Sequence, residues 1–146
     1  MSMSNTSEAA LLDLLFLNTA WANIGNAAGL QPAGAAGSFY VALHTADPGD
    51  TGDQTTSEAS YTGYARVAVA RSGAGWTRAV STISNTATVQ FGECTAGTSA
   101  VTHFSVGTAA SGAGSIIYSG TLSALRNISA GITPLFNPGT LQGTVD

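Results

Sequence analysis

The side chains able to do chemistry crowd into one stretch of this chain. Four acids, Asp47, Asp50, Asp53 and Glu58, lie on a polar segment that starts at His44 and ends at Tyr64-Ala65-Arg66. Carboxylates at this density are hard oxygen ligands, and carbonyls beside Gly49 and Gly52 would help complete a calcium shell. The offsets are not those of an EF-hand. Asp47, Asp50 and Asp53 therefore make a weak calcium candidate, and no metal site is expected. Turn chemistry accounts for the same residues. Asp47 opens a turn, Pro48 presets φ at its second position, and Gly49 takes a positive φ. His44, Asp47, Pro48, Gly49, Gly52, Glu58, Tyr64 and Arg66 read together as a structural loop. A bidentate bond between Arg66 and Glu58 would fix its return path.

The two histidines, His44 and His103, invite a metal or triad reading. A hydrolase triad needs Ser, His and an acid in mutual contact. No Gly-x-Ser-x-Gly elbow occurs, and no third soft ligand is placed with the pair. A pocket holding either histidine with an acid and a serine would revive the hydrolase reading. As the sequence stands, no catalytic residue, enzyme activity or cofactor is expected. Trp21, Trp76, Tyr40, Tyr61 and Tyr64 read as core or subunit contacts. The alternative reading makes them sugar platforms of a carbohydrate-binding, host-recognition module.

The elements that must position the loop are mostly strands. An apolar run at 39–43 precedes it and another at 67–70 follows it. Strand patterns recur at 38–45, 64–72, 76–83, 86–91, 100–107, 115–123, 125–128, 132–136 and 140–145, with turn residues between them. Ser84-Asn85 reads as one of those turns. About eight short strands at this spacing predict a single mainly-β domain, a β-sandwich or jelly-roll of antiparallel strands.

One N-terminal α-helix precedes them. Ala9, Leu12, Leu15 and Phe16 recur at helical spacing, which predicts a helix over 8–22 capped by Thr6 or Ser7. Residues 1–7 read as a mobile or partner-bound arm, and 8–146 as the domain. Leu11 and Leu14 widen the apolar stripe, and a helix apolar on most sides is buried or docked. Leu11, Leu12, Leu14, Leu15, Phe16 and Trp21 are the expected subunit-docking residues.

Composition narrows the partners. Charged residues are 8% of 146, and there is no lysine. Ordinary soluble domains carry about 25%. So weakly charged a surface does little to oppose self-association, which predicts a homo-oligomer. The net charge is −4 and the four arginines are scattered, so no nucleic-acid groove is expected. Cys94 is alone and cannot form an intrachain disulfide. Asp13 interrupts the apolar run at 9–17, so neither a signal peptide nor a membrane span is expected.

The run Tyr40-Val41-Ala42-Leu43-His44-Thr45-Ala46-Asp47-Pro48-Gly49-Asp50-Thr51-Gly52, with Glu58 and Tyr64-Ala65-Arg66 after it, resembles a family of small tailed-phage proteins. These are commonly called phage tail fibre, minor tail or virion structural proteins. Glu8-Ala9-Ala10-Leu11-Leu12 is similar to the family's N-terminal helix. Val101-Thr102-His103-Phe104-Ser105-Val106-Gly107, with the Gly-rich turn and Leu122, is similar to its second half. The resemblance implies a non-enzymatic virion part present in multiple copies and assembled in the bacterial host cytoplasm. It would contact other virion proteins, either as a tail or fibre component or as a head decoration (cement) protein.

Overall fold

The computed structural model describes residues 2–145. Met1 of the expected arm and Asp146 at the end of the expected domain lie outside the described residues. The helix α1 spans Asn5–Phe16, and the strands are β1 (Ser38–His44), β2 (Val67–Ala70), β3 (Trp76–Ala79), β4 (Thr82–Asn85), β5 (Val89–Gln90), β6 (Ser99–Gly107), β7 (Ile116–Ile128), β8 (Leu135–Phe136) and β9 (Gln142–Thr144). Among the described residues these nine strands form three antiparallel sheets, none closed, in the orders β2-β1-β6-β7, β3-β4-β9 and β5-β8. The chain is mainly β, consistent with the expected β-sandwich domain with an N-terminal helix. No described helix is long and apolar enough to cross a membrane.

The chain divides into two compact units. The first comprises residues 1–38, 70–88 and 136–146 and holds α1 with β3, β4 and β9. The helix is shorter and earlier than the 8–22 expected. Ser4 caps it through Oγ, which accepts from the Ser7 amide at 3.3 Å, so residues 5–7 are helical and not part of an arm. The helix stops after Phe16 because Asn18 turns to φ 52°. Arg71 closes that end by donating to the carbonyls of Leu14, Leu15 and Ala36. The bonds to Leu14 and Leu15 satisfy acceptors that every helix C-terminus leaves open. Trp21, expected in the helix, instead exchanges two backbone bonds of 2.9 Å with Leu30 and closes a loop.

Two of the expected docking residues are core. Leu12 and Phe16 are fully buried within this unit, and the Phe16 ring meets Trp76 edge-on, centroids 4.8 Å apart. Asp13 pairs with Arg78 at 2.5 Å. The buried face of the helix packs on its own sheet, which puts Leu12 and Phe16 in the core and not on a docking surface. Leu11, Leu14, Leu15 and Trp21 are half-buried.

The strand expected at 76–83 is a hairpin. Val80 adopts φ 55° and turns β3 back into β4, pairing Trp76 with Asn85 and Ala79 with Thr82. Ser84-Asn85, read as a turn, is strand. The buried Asn85 side chain donates to the carbonyls of Ala87 and Asn137 and accepts from the Leu141 amide, all at 2.8–2.9 Å.

The second unit comprises residues 39–69 and 89–135. β1 pairs antiparallel with β6, Tyr40 opposite Gly107 and His44 opposite His103. β6 pairs with β7, whose register slips between Val101 and His103, so residues 122–125 bulge out opposite Thr102. The two strands expected at 115–123 and 125–128 are therefore one strand with a bulge. Val41, Leu43 and Val106 lie on one buried face of this sheet, and buried Ala42, His44, Val101 and Ser105 on the other. Period-2 alternation makes the two faces.

Candidate functional site

The polar segment leaves β1 at His44 and returns beside it. The Thr45 amide donates to the Ser57 carbonyl at 2.7 Å, and the Ala59 amide to the Leu43 carbonyl at 2.8 Å. A loop whose ends meet this closely is an Ω-type loop, packed by its own side chains. Its first corner follows the turn chemistry. Asp47 Oδ1 accepts from the Gly49 amide at 2.9 Å, and Gly49 sits at φ 67°. At Gly52 an added Cβ would lie 2.1 Å from the Pro48 carbonyl oxygen, so only glycine fits there.

The return arm is closed by an ion pair. Arg66 Nε and Nη2 donate to Glu58 Oε1 and Oε2 at 2.7 and 2.8 Å. The Arg66 side chain is 2% exposed and that of Glu58 19%. Tyr64 donates its hydroxyl hydrogen to Glu58 Oε1 at 2.8 Å and accepts from the Leu43 amide at 3.1 Å. Burial, and then the bond to Glu58, push the Tyr64 phenol well above its usual range, against the Leu43 bond. Hydrogen bonding to Glu58 raises Arg66 against the cost of burial. The Tyr64 ring stacks at 6.1 Å on Phe91 and meets Tyr61 edge-on.

Gln54, which no sequence pattern singles out, joins this network from the middle of the loop and is fully buried. Its Nε2 donates to the Tyr40 carbonyl at 2.9 Å, and its Oε1 accepts from the Ala109 amide at 3.1 Å and from Arg66 Nη1 at 3.4 Å. Arg66 Nη1 also donates to the Ala109 carbonyl at 2.9 Å. A Cβ added at Gly107 or Gly114 would stand 2.3 Å from the Gln54 amide group. The only outward signal of this wedge is two glycines, one ending a strand and one in a turn.

His44 is fully buried and bonds through both ring nitrogens, to the Thr56 carbonyl and to Ser105 Oγ, each at 2.8 Å. A carbonyl only accepts, so Nδ1 carries the hydrogen and Nε2 accepts from the Ser105 hydroxyl. Burial holds the histidine below its ordinary pKa. Ser105 and His44 stand like a nucleophile and base, but a backbone carbonyl occupies the acid's place and both side chains are sealed from solvent. His103 lies across from His44, its nitrogens against the Thr102 and Thr121 hydroxyls.

The three acids weighed for calcium are not gathered. Asp53 Oδ1 accepts from the Thr55 amide and hydroxyl at 2.7 and 2.5 Å, which holds its carboxyl below the usual range. Asp50 is exposed. Among the described residues no three acids, histidines or cysteines are grouped to hold a metal. The aromatics do not form an exposed row. Trp76 and Tyr61 are buried, and Trp21, Tyr40 and Tyr64 half-buried.

Every polar atom of the Glu58 and Arg66 head groups that points into the loop has a protein partner. A family model described as "Podophage GP4 fiber I protein gp80" matches residues 2–144. No curated protein matches the chain.

Proposed function

The chain belongs to the podophage GP4 fiber I protein family, a tailed-phage structural family, and on that premise we propose that it is a tail- or fibre-associated part of the virion, present in multiple copies. The observation that carries this reading is the family match across residues 2–144. The family's description names a fibre protein, which favours the tail over head decoration. Virion association follows from membership of the family.

The surface supports contact with other virion proteins and with further copies of this chain. Val80, Leu125, Leu135, Leu30, Ile24 and Ile132 are 41–62% exposed. With 8% charged residues and no lysine, little charge surrounds them. These residues, with the half-buried Leu11, Leu14, Leu15 and Trp21, are the docking candidates in place of Leu12 and Phe16. The rigid loop serves as a scaffold at the His44 end of β1, with no catalytic part.

Immunogold labelling of intact particles tests the placement. Gold on the tail or its fibres is the expected result, and gold spread over the head would overturn it in favour of decoration. Native mass spectrometry of the purified chain tests the homo-oligomer, which a monomer at all concentrations would exclude.

A further inference from the structure

The His44 site has a property that neither the family nor the loop's scaffolding role requires. His44 ends β1, and its ring ties Thr56 of the loop to Ser105 of β6. We propose that His44 is an acid-sensitive latch, a proton on Nε2 releasing the neck of the 45–58 loop while the β1–β6 pairing persists.

The geometry gives the protonated ring nowhere to go. Nε2 now accepts the Ser105 hydrogen, and that hydroxyl has no second hydrogen-bond partner among the described residues. With Nε2 protonated, the Ser105 hydrogen must turn away into a fully buried site. The charged ring also finds no free carboxylate. Glu58, its bridge partner across the loop neck, already accepts from both Arg66 nitrogens and from Tyr64. Burial opposes the charge most; the Thr56 carbonyl and Glu58 favour it, and the Arg66 guanidinium and the His103 ring, paired with His44 from β6, oppose it, with burial setting the sign. The other neighbour of β1 is β2, Val67–Ala70, which holds no titratable side chain. A buried charge without a partner is relieved by exposure to water.

The sign follows from linkage. Burial lowers the folded-state pKa of His44 below 6.5, so the open form binds the proton more tightly than the closed form. Closure is complete above the ordinary histidine value and weakens as pH falls below it, by about tenfold per pH unit until the folded value is reached.

The test is NMR on the whole chain. The His44 ring resonance should titrate below 6.5. Amide exchange at Thr45 and Ala59, whose bonds close the neck, should rise as pH falls below 6.5, by up to about tenfold per pH unit until the His44 ring itself titrates, after correction for intrinsic rates. Amides between β1 and β6 should not follow. His103→Gln should keep this acid step, and His44→Gln should lose it. An ordinary His44 titration, a step spread equally over the β1–β6 amides, or a step lost with His103→Gln would overturn the latch. If His44→Gln does not fold, the His44 titration and the His103→Gln exchange decide.

Discussion

The guanidinium of Arg66 meets the carboxylate of Glu58 edge to edge, with Nε on Oε1 at 2.7 Å and Nη2 on Oε2 at 2.8 Å. This fork closes a loop that opens at His44. Its fit to a planar carboxylate is one that lysine cannot supply. Removing one partner strands the other where its side chain is 2% or 19% exposed. Arg66→Ala should therefore lower stability by about 3 kcal/mol. Arg66→Lys should recover less than half of that. Urea denaturation checks both, and a loss under about 0.5 kcal/mol for Arg66→Ala would rule the closure out as a stabilising contact.

Gln54 is expected to be coupled to the glycines under it. Gln54→Ala leaves the Tyr40 carbonyl and the Ala109 amide without their side-chain partner, which should cost about 1–3 kcal/mol. Gly107→Ala should also destabilise, because its new Cβ would stand 2.3 Å from the Gln54 amide carbon. In the Gln54→Ala background that clash is gone, so Gly107→Ala should cost much less. A double-mutant cycle with a coupling near zero would show that the wedge does not exist in solution.

The legible parts of this fold were the local ones. Asp47-Pro48-Gly49 announces its turn because the bonds involved lie two residues apart. β1 announces itself by an apolar run and β6 by alternation, and the tailed-phage resemblance drawn from their residues agrees with the family match. What stayed hidden depends on distant partners. Ser105 lies 61 positions from His44, and Arg71 caps a helix that ends more than 50 positions before it. The hairpin at Val80 was missed because a β-branched residue at positive φ runs against propensity, and tertiary pairing overrides it. Asn85 looks like a turn residue because two of its three side-chain bonds, with Asn137 and Leu141, come from more than 50 positions away.

The helix separates stability from assembly. Phe16 is buried against Trp76, so Phe16→Ala should cost about 3–5 kcal/mol in the isolated chain. Leu11 is half-buried, and Leu11→Ser should cost less there. If the half-buried side of the helix docks on a neighbour, Leu11→Ser should instead reduce incorporation into particles. Thermal melts and particle stoichiometry read the two effects separately. Equal losses of stability for both variants would place Leu11 in the core and end its docking role.

Loop rigidity should not depend on calcium. Asp53 holds Thr55 and Asp47 holds Gly49, so their carboxylates already stabilise the loop backbone. Asp53→Ala should lower the melting temperature slightly through its lost bonds to Thr55. Millimolar calcium or a chelator should leave the melting temperature of the wild-type chain unchanged. A rise of several degrees with calcium, absent in Asp53→Ala, would restore the metal reading.

The two units should unfold together as one domain. Neither is a continuous piece of chain: residues 1–38, 70–88 and 136–146 alternate with 39–69 and 89–135. Closing either one alone holds long disordered loops of the other at its surface, each at an entropic cost. The aromatic residues supply a direct test. Trp21 and Trp76 both belong to the first unit, and Tyr40, Tyr61, Tyr64 and Tyr118 all belong to the second. Tryptophan fluorescence and tyrosine absorbance thus follow different units in one sample. Coincident midpoints, with calorimetric and van't Hoff enthalpies in agreement, are the expected result. Two separated midpoints would divide the chain into independently folding parts.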